Sequence, residues 1–204
     1  MTTMPVLETT RLLIRPFTAD DLTDAHRLFD VELDGMDLTD NAGASLAERA
    51  RWLQWSVLNY EHLARLHQPP YGDRAIVLRE TGALIGSVGF VPSLMPFEQL
   101  RYFARSDAPA SLGRSSPEFG MFWAVSSAHQ RQGYATEAAR AMIDYAFQHL
   151  RLRRVVATTE HDNLASIGVM RRLGMRIERN PLPEPPWMQV VGVLEHPFQG
   201  LRSD

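Results

Sequence analysis

The stretch His129-Gln130-Arg131-Gln132-Gly133-Tyr134-Ala135-Thr136 lies between an apolar run ending at Val125 and a helical pattern beginning near Thr136. Gly133 lets the main chain approach a ligand closely, and Ala135 puts little side chain in the way. The free N–H groups at a helix start converge on one place, where the helix dipole favours an anion. The spacing therefore describes a cradle for a pyrophosphate. It matches neither G-x-x-x-x-G-K-[ST] nor G-x-G-x-x-G. Taken alone, the segment reads equally well as a plain strand-to-helix turn that happens to contain a glycine.

Other chemistry is sparse. The chain has no Cys, which removes a thiolate nucleophile, thiolate metal sites and disulfides. Its seven His residues include no H-E-x-x-H pair, so no metal site is expected. No G-x-S-x-G elbow occurs.

The elements that must position the cradle can be read from pattern. Residues 11–17 form a first strand, followed by a helix capped at Thr18 with Leu22, Ala25, Leu28 and Phe29 on one stripe. Ser45 and Glu48 make a capping box for a second helix, whose apolar face carries Ala50, Leu53, Val57, Leu58 and Leu63. On that helix Trp52, Trp55 and Tyr60 fit a core, while Trp55 or Tyr60 alternatively lines an acceptor cleft. A hairpin spans 74–91 around Glu80-Thr81-Gly82, a strand 118–125, a helix 136–150, a strand 153–159, a helix 163–174 and a final strand 187–195. The order is mixed α/β. Residues 92–117 interrupt it with prolines and serines, and connections of that length are usually functional or mobile.

The 204 residues suit a single domain over 1–204, with 45% hydrophobic and 22% charged residues placing it among globular chains. A net charge of −3 argues against a general nucleic-acid binder. No apolar run approaches the roughly 20 residues of a membrane span, and residues 1–17 lack a signal-peptide core. The expectation is a cytoplasmic protein without membrane or nucleic-acid partners. Oligomeric state is unreadable, which leaves a homodimer open.

Gln130-Arg131-Gln132-Gly133-Tyr134-Ala135 resembles the acyl-CoA motif Q/R-x-x-G-x-G/A of the GNAT superfamily of N-acyltransferases. Three further stretches strengthen the likeness: "YATEA", "NLASIGVMRRLGM" and the opening "LETTRLLIRPFTADDL". They are similar to the branch that includes the ribosomal-protein N-terminal acetyltransferases. The resemblance implies a GNAT fold, with a central mixed sheet splayed between its fourth and fifth strands and helices on both faces. The insertion 92–117 is its chief departure.

The resemblance also implies roles. The main chain at Ala124 and Val125 would meet the pantetheine arm of acetyl-CoA, and N–H groups from Arg131 to Thr136 would hold the pyrophosphate. Asn163 matches the asparagine that contacts pantetheine, Ser166 lies close to the sulfur, and Arg172 occupies a position able to meet CoA phosphate. Plainer readings make Asn163 an N-cap and Arg172 a solvated charge. The implied reaction moves an acetyl group to a primary amine, on a protein N-terminus or a small molecule. With no Cys available for an acyl-enzyme, direct attack in a ternary complex is expected.

An attacking amine must lose a proton, so a base or ordered water is needed. Glu118, at the start of the strand nearest the expected thioester, leads as the base, ahead of Glu160 and His161. His129 adjoins the cradle but faces solvent. Many GNAT enzymes place a Tyr as acid seven residues after the motif asparagine. Here that position is Met170, so protonation of the thiolate falls to Ser166 or water. The Met leaves a rival open, an acyl-CoA-binding regulatory module without catalysis.

Overall fold

The computed structural model describes residues 4–33, 45–104 and 114–197. Eight strands form one sheet in the order β1-β2-β3-β4-β5-β6-β8-β7. They are β1 (Leu7–Glu8), β2 (Leu12–Pro16), β3 (Gly72–Leu78), β4 (Leu84–Met95), β5 (Ser116–Val125), β6 (Arg154–Thr159), β7 (Arg176–Arg179) and β8 (Val190–Glu195). The helices are α1 (Leu22–His26), α2 (Leu46–Arg65), α3 (Tyr134–Gln148) and α4 (Leu164–Leu173). None of the helices among the described residues is long and apolar enough to cross a membrane.

Pairing is antiparallel in β1–β2–β3–β4 and in β6–β8–β7, whereas β5 and β6 run parallel. The sheet is thus mixed, as expected. A ten-residue β5 and a six-residue β6 are in register only at Gly120 opposite Val156. Parallel neighbours that stayed together would share a longer ladder. This one-pair ladder is the splay expected between the fourth and fifth strands of the sequence reading.

Two strands escaped that reading. β1 has two residues and no pattern to detect. β7 is Arg-Ile-Glu-Arg at the sheet edge, where charged side chains suit solvent and guard against stray pairing.

The chain divides into two compact units, Met1–Phe90 with Trp123–Met142, and Val91–Phe122 with Ile143–Asp204. In the first, Phe17, Ala25, Leu28, Phe29, Leu53 and Val77 form a core. Trp52 meets Phe17 and Phe29 edge-on, with centroids 5.4 and 5.2 Å away. Ser45 and Glu48 close the expected capping box on α2. The buried face of α2 shares only Leu53 with the predicted apolar stripe, however. It runs through Arg49, Leu53 and Ser56, while Leu58 is exposed. Arg49 turns inward because Asp30 receives it, through Nε at 2.9 Å and Nη2 at 2.6 Å. Both side chains are only 1% exposed, and removing one partner from such a pair typically costs about 3–5 kcal/mol.

Beyond His26, α1 widens into a π-helical turn over Arg27–Glu32. Tyr60 is structural: its hydroxyl accepts from Phe17 N–H at 3.1 Å, donates to the Asp73 carbonyl, and is pushed up to about 12 by burial. Trp55 stays exposed.

In the second unit, Phe97, Leu100, Val156, Met188, Val191 and Val193 form the core, joined by Met95, Tyr102 and Phe103. The expected insertion thus begins inside β4, and its next residues pack as core. Residues 105–113 of it lie outside the described residues. Phe97 and Leu100 are fully buried, whereas Leu94 is 71% exposed. Phe97→Ala should therefore lower the unfolding free energy by about 3–5 kcal/mol in urea denaturation. Leu94→Ala should stay within about 0.5 kcal/mol of the parent. Similar small effects for both would show that 92–104 is only a surface excursion.

Candidate functional site

β5 ends at Val125, and the chain turns at once. Ser126 N–H donates to the Ile85 carbonyl at 2.8 Å, which ties the turn to β4. Gly86 makes the close approach possible, since a Cβ there would lie 2.4 Å from the Ala124 carbonyl oxygen. The Gln130 side chain folds back to donate to the Val125 carbonyl at 3.1 Å, and Gln132 does the same to Ala128 at 3.2 Å. Both motif glutamines therefore brace the loop with their side chains.

Arg131 and Gly133 adopt positive φ, at 59° and 86°, so the loop curls before entering α3. Curled backbone of this kind turns successive N–H groups toward one concavity. The first bond of the helix runs from Glu137 N–H to the Gly133 carbonyl at 3.0 Å. Gly133 is thus the cap residue, with no side chain to offer, and the N–H groups of the first turn are those that a helix start leaves without intrahelical partners. Gln130 to Gly133 are exposed, and Tyr134 to Thr136 half-buried. The residues fit an anionic ligand held by main chain.

The other predicted cofactor residues lie in the second unit. Asn163 caps α4, its Oδ1 accepting from Ser166 N–H at 3.0 Å, and both residues are half-buried. Arg172 is exposed on the last turn of the same helix. Met170 is fully buried, with its sulfur facing Gly192. It fills core space in place of presenting an acid.

Glu118 is engaged. Arg154 donates through Nε to Oε2 at 2.7 Å and through Nη2 to Oε1, and the Glu118 side chain is only 6% exposed. The guanidinium lies 4.8 Å over the Phe103 ring and is 3.7 Å from Glu195. Both Glu118 oxygens are thus engaged by the Arg154 guanidinium. Glu160 and His161 are exposed, with His161 Nδ1 3.4 Å from Arg179 Nη1. His129 is half-buried, not solvent-facing as expected, with Nδ1 3.4 Å from Ser126 Oγ.

A carboxylate absent from the sequence reading stands beside the strand end. Glu32 closes the π-helical turn, and its Oε1 pairs with Arg27, which also donates to the Leu84 carbonyl at 2.9 Å. Oε2 is buried without a hydrogen-bond partner among the described residues. Burial would raise this carboxyl, but the Ser126 hydroxyl and the Arg27 guanidinium outweigh it, and His129 adds to the field. Glu32 is held below the usual carboxylate range. No local pattern could have found it, because its position depends on the π turn and on β5.

The acetyltransferase (GNAT) domain family matches residues 11–176. The chain belongs to this family. It is similar to the uncharacterized N-acetyltransferase YnaD of Bacillus subtilis, 33% identical over 111 residues, which are 52% of this chain and 54% of that relative. The match thus spans about half the relative's length. Among solved structures it resembles the ribosomal-protein-S5-alanine acetyltransferase of Vibrio fischeri, with a TM-score of 0.66 and 16% identity over 96% of this chain and 98% of the other. It also resembles Mycobacterium smegmatis RimJ, solved in complex with CoA-disulfide, with a TM-score of 0.63, 16% identity, and 93% and 84% of the two chains covered. Both likenesses show the GNAT fold.

Gly133→Val should fold yet bind CoA at least about ten-fold more weakly in calorimetry, because left-handed backbone costs an L residue roughly 1–2 kcal/mol and drives the turn to rearrange. Unchanged affinity in the folded variant would remove the loop from CoA binding.

Proposed function

We propose that the chain is an acetyl-CoA-dependent N-acetyltransferase that acts on a primary amine by direct attack in a ternary complex. The observation that carries this reading is the helix start at Gly133, a cap residue with no side chain of its own, in a chain of the GNAT family. N–H groups from Arg131 to Thr136 hold the pyrophosphate. Main chain at Ala124 and Val125 meets the pantetheine arm, Asn163 contacts that arm through its amide nitrogen, Ser166 lies by the sulfur, and Arg172 meets CoA phosphate. The chain acts as one domain, and its connection 92–117 shapes the acceptor side.

The amine nitrogen attacks the thioester carbonyl, a C–N bond forms, the C–S bond breaks, and CoA leaves as thiolate. A main-chain N–H near Val125 suits the oxyanion. The amine proton leaves through water, and Ser166 or water protonates the thiolate. The Arg154 pairing favours a structural part for Glu118, in place of the base expected from sequence. Glu32 is better suited to the acceptor. Held below its ordinary range, it stays ionised and poorly basic, which fits a partner for the acceptor's ammonium group.

Thiol release from acetyl-CoA, measured against small amines and N-terminal peptides, tests the reading. At least one amine should turn over. With that amine, Glu32→Gln should raise KM about ten-fold or more, as expected for losing a charged hydrogen bond, and leave KM for acetyl-CoA unchanged. Glu118→Gln should leave the shape of the pH–rate profile intact. CoA binding without turnover of any amine would favour the regulatory module. A lost acidic limb in Glu118→Gln would return the base to that residue.

A further inference from the structure

The Thr9–Arg11 segment grips the first turn of α3 from across the sequence. Glu137 Oε1 accepts from Thr9 Oγ at 2.6 Å and from Arg11 N–H at 3.0 Å. Its Oε2 accepts from Arg11 Nε at 2.7 Å and meets Nη2 at 2.6 Å. Arg11 Nη1 donates to the Gln132 carbonyl at 3.1 Å, and the guanidinium lies 4.3 Å over the Tyr134 ring. All of these contacts fall within the first unit.

Two consequences follow from elementary chemistry. A carboxylate in the first turn of a helix is ordinarily drawn to the free N–H groups there, both as hydrogen-bond acceptor and as partner of the dipole. Glu137 could fill the place where an anionic ligand would sit, and both of its oxygens are instead engaged by Thr9 and Arg11. The peptide plane adds the second consequence. In a trans peptide the carbonyl and the following N–H point in opposite directions. By drawing the Gln132 carbonyl to one side, Arg11 aims the Gly133 N–H to the other.

We propose that Arg11 is a positioning residue for coenzyme A: it sequesters Glu137 and orients the Gln132–Gly133 peptide so that the amides of the loop stay open to the pyrophosphate. This rests on the reading of 131–136 as the cradle. Burial would raise the Glu137 carboxyl, but Thr9 and Arg11 outweigh it and hold the group below its usual range, consistent with a carboxylate kept ionised in their grip. Arg11 acts through Glu137 and the loop and needs no contact with the ligand.

The mechanism makes a prediction that simple scaffolding does not. Arg11→Ala releases Glu137 onto the amides, so calorimetry should show CoA binding weakened about ten-fold or more, the scale of a lost charged hydrogen bond. Adding Glu137→Gln to that variant removes the competing charge and should restore most of the affinity. Arg11→Lys keeps the charge without the fork and should fall between. Melting temperatures of all variants separate unfolding from loss of binding. An unchanged CoA affinity in Arg11→Ala, with the parent binding normally, overturns the proposal alone. A double variant no better than Arg11→Ala also overturns it, making Arg11 a direct phosphate ligand or a plain support. Failure of the parent to bind CoA overturns the cradle and this proposal with it.

Discussion

The helix start at Gly133 is the constraint around which the first unit is arranged. α2 has Ser45 at its cap, and α4 has Asn163. Ahead of α1, Asp21 reaches back to the Thr18 N–H at 2.8 Å. α3 has a glycine at the corresponding position, which costs a helix roughly a few tenths of a kcal/mol relative to a capping side chain. The fold keeps that helix in place by burial. Ala138, Ala139, Met142 and Ala146 are fully enclosed. Apolar packing of this stripe thus carries the stability that the uncapped end does not supply, and the end remains available for an anion.

The surroundings of the loop serve the same purpose. Gly86 admits the end of β5 against β4, and Ser126 fixes the first residue of the turn. The π-helical turn after α1 carries two carboxylates with different tasks. Asp30 faces inward to Arg49 and is lowered despite burial by that partner and by His26, making an internal strut. Glu32, two residues on, keeps one buried oxygen without a hydrogen-bond partner among the described residues. The wider turn of the π form changes which residues point which way, and it separates these two roles along a short piece of chain.

The helix start at Gly133 was legible because its signals are local. A glycine before a helical stripe, a small residue after it and a strand in front lie within about twenty residues, and the periodicity of α3 and α4 is strong. Asn163 was legible as a cap for the same reason. What escaped depends on partners far away in sequence. Arg11 and Glu137 are 126 residues apart, and Glu118 and Arg154 are 36 apart. Glu118 looked available as a base because nothing near it in sequence announces the guanidinium that holds it. The buried stripe of α2 was misread because Arg49 counts as polar until Asp30 is placed beside it. Phe97 and Leu100 lie in the interrupting stretch 92–117, whose prolines and serines left no period from which their burial in the core could be read.

Main-chain amides from Arg131 to Thr136 are the proposed seat of the coenzyme A pyrophosphate. The direct measurement is a titration of the nitrogen-15-labelled protein with CoA, followed by amide chemical shifts. The largest and earliest changes should fall on Gly133 and its neighbours between 131 and 136, since a bound phosphate deshields the amides that donate to it. Saturable binding that leaves those amides unmoved, with the main changes elsewhere in the chain, would contradict the account.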